Sequence, residues 1–449
     1  MSLPRTRLAV RPGPPLSGSF LPPGDKSITH RAYLLGLVAA GETVIEGPNP
    51  GSDCEATLAC ARVLGATVSR RSGAVLMEGR AGTLRPPDRV LDCGNSGTTL
   101  RLLAGILAGQ PFDATLDGDG SLRRRPVSRI IEPLRAMGAR IGSAEGDRVP
   151  PVTLHGGALR AIDHRSVIAS AQVASCVLLA GLFAHGRTTV TLPMPARDHT
   201  ERMLAAFGVP VTVAGPPPGG STVTLAVVGP AVPNATRIRV PGDFSAAAFL
   251  LAAAAAHPGA AVTAVDVSLN PTRTGLLRVL ERMGATVERA RVREESGEPI
   301  GDVTVRGPAR LRACTIAPED VPSLIDEIPA WVVAATAAEG TSELRGAAEL
   351  RVKESDRLRV LATALDHLGL ACREHPDGLA LTGGPIPGGV VWAADDHRIA
   401  MALALLGTRA TGPFTVEEAG GIATSFPGFE ATLASLGGVL EGTAAGTPS

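Results

Sequence analysis

Lysine is almost missing from this chain: of 43 lysine and arginine residues, only Lys26 and Lys353 are lysine. Both stand out as candidate site residues. A lysine ammonium is compact, with three rotatable donors and a movable pKa, whereas a guanidinium is planar and permanently charged. Aromatic residues are also scarce, at 3%, and the formal net charge is zero. The basic field and stacking platforms of a nucleic-acid binder are therefore lacking, and no nucleic-acid partner is expected. Long apolar runs are absent: stretches such as Phe249 to Ala256 fall far short of the roughly 20 residues that span a bilayer, so no membrane association is expected. The six cysteines (Cys54, Cys60, Cys93, Cys176, Cys314, Cys372) form no C-x-x-C pair, which reads as reduced thiols in a cytoplasmic protein. The first residues carry arginine and proline but no apolar core of a secretory signal.

What is present is a globular composition, 44% hydrophobic and 19% charged over 449 residues, too long for one ordinary core. One phrase recurs six times, a helical apolar period ending in a large apolar residue and glycine: Leu64-Gly65, Met137-Gly138, Phe207-Gly208, Met283-Gly284, Leu368-Gly369 and Leu436-Gly437. Glycine just past a helix adopts the left-handed conformation that ends it, so each phrase predicts a helix stop feeding a strand, and six copies of one α/β unit. A second duplication, Pro23 to Ser27 (PGDKS) returning as Pro241 to Ser245 (PGDFS), divides the six into two sets of three. This predicts one domain over 21–240 and a discontinuous one from 1–20 and 241–449. The second copy has Phe244 where the first has Lys26, so the duplication is structural in both halves and chemical in one. The tail from Gly442 is expected to be disordered.

Several segments concentrate groups able to do chemistry. PGDKSITHR (Pro23 to Arg31) reads as a tight turn and a helix start, with Ser27 or Thr29 near the cap and Lys26 and Arg31 at the positive end, a seat for phosphate or carboxylate. It is not a phosphate-binding nucleotide loop, which needs glycine where Asp25 stands. LDCGNSGTTLRLL (Leu91 to Leu103) lets a ligand approach backbone near Gly97, although Ser96 could equally be a plain cap. Of Arg123, Arg124 and Arg125, one or two at most should enter a site. Ser170-Ala171-Gln172 and Arg197-Asp198-His199-Thr200 begin further helices. In SLIDEIPA (Ser323 to Ala330), Asp326 and Glu327 are flanked by apolar residues, a setting that favours acid/base work by a desolvated carboxylate. RVKESDR adds Lys353, Glu354 and Arg357; DDHRIAM adds Asp395, Asp396, His397 and Arg398. No second cluster has metal spacing, so no metal or cofactor is expected. The set reads as a site for anionic small molecules that moves protons.

PGDKSITHR, GNSGTTLR, RRRPVSR, SAQ, RDHTE, NPTRTG, RVKESDR, DHRIAM and IATSFP stand in the order and spacing of the 5-enolpyruvylshikimate-3-phosphate (EPSP) synthases, and from about 15 to 440 the chain resembles that family. The resemblance implies the enolpyruvyl transferase fold: a two-domain inside-out α/β barrel of six βαβαββ-like repeats, three per domain, with the site in the cleft. It implies transfer of the enolpyruvyl group of phosphoenolpyruvate to the 5-hydroxyl of shikimate 3-phosphate with release of phosphate. Shikimate 3-phosphate would lie against Lys26, Ser27, Arg31, Ser170, Ala171, Gln172, Arg197, Asp326 and Lys353. Phosphoenolpyruvate would lie against Lys26, Gly97, Arg125, Gln172, Arg357 and Arg398. Lys26, Asp326 and Glu354 would carry the proton transfers.

Many members have a lysine before Thr-Phe-Pro near the C-terminus; here the segment reads Ala423-Thr424-Ser425-Phe426-Pro427. Ser-Ala-Gln, Arg-Asp-His-Thr-Glu and Leu102 resemble the family's second, often glyphosate-tolerant class. Gly97, where tolerant members usually carry alanine, predicts room for glyphosate as a competitive inhibitor. A monomer is expected. Two other readings stay open: the sister transferase acting on a UDP-amino sugar, whose mobile loop usually holds a reactive cysteine that Gly118 to Arg129 lacks, and a non-catalytic anion-binding relative, which would have no use for both Asp326 and Glu354.

Overall fold

In a computed structural model, residues 7–216 and 220–441 are described; the expectation for the tail from Gly442 lies outside them. The chain divides into two compact units. A continuous unit comprises Gly24–Pro241 together with the short hairpin tip Glu294–Glu298, and a split unit comprises Met1–Pro23, Gly242–Arg293 and Pro299–Ser449. Each has its own apolar core.

In the continuous unit one pattern occurs three times: an almost wholly buried helix, a strand, an amphipathic helix and two antiparallel strands. The buried helices are α1 (Lys26–Val38), α3 (Gly97–Ala108) and α5 (Ala171–Gly181); the amphipathic ones are α2 (Ser52–Val63), α4 (Ser128–Ala136) and α6 (His199–Ala206). The split unit repeats it with buried α7 (Phe244–Ala256), α9 (Ile328–Ala335) and α11 (His397–Gly407), and amphipathic α8 (Gly275–Arg282), α10 (Arg357–His367) and α12 (Phe429–Ser435). Helices apolar on every face belong inside, and those with one apolar stripe belong at the boundary. The alanine-rich α7, buried along its entire length, packs against both α9 and α11.

Among the described residues each repeat contributes a sheet that combines parallel pairing at one edge with antiparallel pairing; five of the six sheets have four strands, and the one around Ala184–Leu192 has five, with Leu159–Arg160 and Asp163–Arg165 both running parallel to it. An example is the order 237–239, 42–46, 74–78, 67–71. Pairing across sequence ends closes the sets: Arg237–Arg239, the last strand of the continuous unit, runs parallel to Glu42–Glu46 of its first repeat. In the split unit, Ser17–Phe20 runs parallel to Ala261–Ser268, and Leu8–Arg11 lies between Phe414–Glu417 and Val439–Glu441. The six glycines that end the amphipathic helices, Gly65, Gly138, Gly208, Gly284, Gly369 and Gly437, have φ of +104°, +99°, +80°, +100°, +71° and +97°. At the first, Ala66 N–H reaches back to Ala61 O at 3.0 Å, closing the helix as a left-handed glycine allows. The fold is thus the six-repeat, helix-inside arrangement expected. All six cysteines are free, and no helix among the described residues is long and apolar enough to cross a membrane.

Candidate active site

Most candidate residues gather near helix N-termini, above all those of the buried helices, where unpaired backbone N–H groups and the helix dipole favour anions. In the continuous unit Asp25 is the cap of α1, its Oδ1 accepting from Ile28 N–H at 2.9 Å. Ser27 and Lys26 are thereby left on the first helical turn. Lys26 Nζ stands 3.1 Å from Asp53 Oδ2, the two side chains only 15% and 8% exposed. Arg31, one turn on and buried, donates to Ser27 O (3.0 Å), Thr200 Oγ1 (2.7 Å) and Ser175 Oγ (2.9 Å), and so ties the α1 start to α5 and α6.

Ser96 caps α3, as a plain cap would, accepting from Thr99 N–H at 3.0 Å. The same motif also brings two guanidinium groups to Gly97: a Cβ built there would lie 2.6 Å from Arg101 Nη1 and 3.3 Å from Arg125 Nη1. Arg101 Nη1 donates to Gln172 Oε1 at 3.2 Å, and Gln172 Nε2 donates to Thr98 Oγ1 at 2.9 Å, joining the starts of α3 and α5. Ser170 caps α5, and Ala171 is its first residue. Of the three consecutive arginines, Arg125 is buried and bonded to Asn95, while Arg123 pairs with Asp117 at the surface. Arg197 is half-buried just before Asp198, the cap position of α6.

The split unit assembles the remaining candidates around Arg357, the first residue of α10. Its side chain is 1% exposed, with Nε 2.8 Å from Asp396 Oδ2, Nη2 2.5 Å from Glu354 Oε2 and Nη1 3.5 Å from Asp326 Oδ1. Burial alone would lower the guanidinium pKa, but Asp396 and Glu354 raise it further above its already high value. Burial acts on Asp396 in the opposite sense to Arg357, and the cation prevails, holding this carboxyl below its usual value. Asp396 also caps α11, accepting from Arg398 N–H at 2.9 Å. Lys353 Nζ lies 3.6 Å from Asp326 Oδ1 and 3.8 Å from Glu349 Oε1, and Arg398 Nη1 donates to Asp326 O at 2.9 Å. Leu324 and Ile328, the apolar neighbours of Asp326 in sequence, enter the core; the Asp326 side chain is only 13% exposed, and its carboxylate faces cations.

Sequence reasoning missed Arg101, Asp53 and Glu349. Arg101 was findable, since an arginine four residues into the apolar helix GTTLRLLAGILA needs a buried partner; Asp53 carries no such signal. The Asp395-Asp396-His397 run is split by burial, Asp395 lying exposed and Asp396 buried against Arg357. Among the described residues no group of three or more His, Cys, Asp or Glu side chains is arranged to hold a metal ion.

A family model described as EPSP synthase (3-phosphoshikimate 1-carboxyvinyltransferase) matches residues 10–433. The chain belongs to the EPSP synthase family. It is 49% identical over 435 residues to the 3-phosphoshikimate 1-carboxyvinyltransferase of Synechococcus sp. (strain JA-3-3Ab), covering 96% of each chain. It is 50% identical over 439 residues to that of Anaeromyxobacter sp. (strain Fw109-5), covering 97% of this chain and 99% of the relative. The solved EPSP synthase of Acinetobacter baumannii superposes with a TM-score of 0.85 at 41% identity, over 97% of this chain and 99% of that one. As a member of the EPSP synthase family the chain is a transferase of the shikimate pathway, in aromatic amino acid biosynthesis. These matches favour that reading over the UDP-amino-sugar transferase and the non-catalytic relative.

Proposed function

We propose that the two residue sets together bind and activate the two substrates of an EPSP synthase. Shikimate 3-phosphate lies on Ser27, Ser170, Ala171, Gln172 and Arg197, with Lys26 beside it and Arg31 lending charge from beneath. Asp326 and Lys353 reach its hydroxyls. Phosphoenolpyruvate lies on Lys26, Gly97, Arg125, Gln172, Arg357 and Arg398. The observation that carries this reading is the Asp326 carboxylate held within 3.6 Å of both Lys353 and Arg357. Such a group accepts a proton while the cations beside it meet the charges of an anionic substrate.

The reaction needs a proton delivered to the enol methylene carbon, a proton removed from the attacking 5-hydroxyl, and loss of phosphate as the methyl group returns a proton and the double bond re-forms. Glu354, Asp326 and Lys26 carry these transfers. Arg357, Arg398 and Arg125 offset the charge of carboxylate and departing phosphate, and holding both substrates in line lowers the entropic barrier. Glyphosate, anionic like phosphoenolpyruvate, competes for that side, where Gly97 leaves room. The enzyme works as a cytoplasmic monomer. Glu354→Gln tests the assignment: turnover is expected to vanish while shikimate 3-phosphate still binds in calorimetry. Unchanged turnover would remove Glu354 from the mechanism.

A further inference from the structure

Two sequence motifs play no part in the site above: PGDFS at Pro241 to Ser245 and NPTRTG at Asn270 to Gly275. The fold brings them together beneath Asp326. Asp243 caps α7, its Oδ1 accepting from Ser245 N–H at 2.7 Å, as Asp25 caps α1 in the first copy. Where the first copy has half-buried Lys26 and Ser27, the second has Phe244 and Ser245, 0% and 2% exposed. The Ser245 hydroxyl donates to Glu327 Oε1, and Arg273 Nη2 donates to Ser245 Oγ at 2.5 Å while lying 3.6 Å from Asp243 Oδ1. Arg273 is 2% exposed and Glu327 0%. A carboxylate from the chain itself thus fills the helix start whose first copy is offered to an anionic substrate.

Glu327 and Asp326 are neighbours in the single 3-10 turn Ile325–Glu327 that leads into α9. One side chain points to the buried Ser245–Arg273 pair, the other to Lys353 and Arg357, and the Asp326 carbonyl accepts from Arg398. Three contacts of the site therefore hang on the orientation of one short turn, and the turn is held from behind by Glu327. We propose that Glu327 is a positioning residue, held by Ser245, which Arg273 in turn braces, so that the Asp326 carboxylate and its carbonyl oxygen stay aligned with Lys353, Arg357 and Arg398. The inference rests on the catalytic reading of Asp326 given above.

A double-mutant cycle tests it. Glu327→Gln preserves shape but puts an amide where the carboxylate accepts from the Ser245 hydroxyl, loosening the hold on the turn. It is expected to lower kcat about tenfold, with KM for either substrate changing less than about twofold, because the defect lies in alignment rather than binding. In an Asp326→Asn background the same change should cost less than about twofold, since the group it positions is already disabled. An equal loss in both backgrounds, or no loss in the wild-type background, would overturn the proposal. Full activity of Asp326→Asn alone would instead refute the catalytic reading beneath it. Should Glu327→Gln fail to fold, Ser245→Ala loosens the clamp from the other side and enters the same cycle with the same expectations.

Discussion

Replacing Asp396 by asparagine isolates the interaction on which the split unit's half of the site depends. Asp396 and Arg357 are 0% and 1% exposed, joined by contacts of 2.8 and 3.2 Å. At an effective dielectric of about 20, unit charges at that separation attract by roughly 6 kcal/mol. Asparagine keeps one acceptor for Arg357 and the cap on α11, and Glu354 still pairs with the guanidinium. The expected loss of stability is therefore about 3 kcal/mol, the lower end of the range for breaking a buried pair from one side. Asp396→Ala removes the cap as well and should cost about 1 kcal/mol more. The two tryptophans, Trp331 and Trp392, both lie in the split unit, so their fluorescence during urea unfolding reads that unit directly. The pair holds the Asp396 pKa below its usual value. Its contribution is present above the unfolded-state value and is lost as pH falls through the folded-state value. The gap between wild type and variant should thus be complete at neutral pH and close only in strong acid. A gap under about 1 kcal/mol at neutral pH, the size of a surface ion pair, would refute the argument.

Other expectations follow from the same geometry. Gly97→Ala should cost about 1 kcal/mol of stability, because the added methyl pushes the buried Arg101 guanidinium off its hydrogen bonds to Gln172 and Pro126. Displacing that guanidinium and crowding Arg125 should weaken phosphoenolpyruvate moderately and glyphosate by about tenfold or more, roughly 1.4 kcal/mol; an inhibition constant equal to the wild type's would sink the idea that Gly97 makes room for glyphosate. Burial, with Asp198 adding to it against Arg31 and Arg202, pushes the Glu201 carboxyl up to about 7. The stability tied to its protonated form is fully present below the unfolded-state value and is lost as pH rises through about 7. Glu201→Gln should therefore gain on wild type between pH 5 and pH 8, by up to about 3 kcal/mol in urea titrations; equal curves at both pH values would contradict this. Lys26→Met leaves Asp53 buried without its ammonium partner, and Lys26→Met with Asp53→Asn should recover part of the lost melting temperature but none of the activity.

The architecture was legible because it repeats. Six glycines at helix ends announced six units, and each does adopt a left-handed φ. PGDKS and PGDFS marked two sets, since both copies need an aspartate to cap a buried helix. Local sequence could not show which carboxylate meets which cation. The apolar neighbours of Asp326 mark a carboxylate withdrawn from water, but only the fold shows that those neighbours turn into the core while the carboxylate turns to Lys353 and Arg357. Arg101 and Asp396 gain their meaning only from partners tens of residues away, Gln172 and Arg357. The small hairpin tip Glu294–Glu298 belongs to the continuous unit although the rest of its hairpin does not, an assignment that depends on tertiary packing alone.

Inorganic phosphate release tests the central claim most directly. The purified protein is mixed with phosphoenolpyruvate and either shikimate 3-phosphate or a UDP-amino sugar. Phosphate should appear with shikimate 3-phosphate and not with the sugar. Release only with the sugar, or with neither acceptor, would contradict the account.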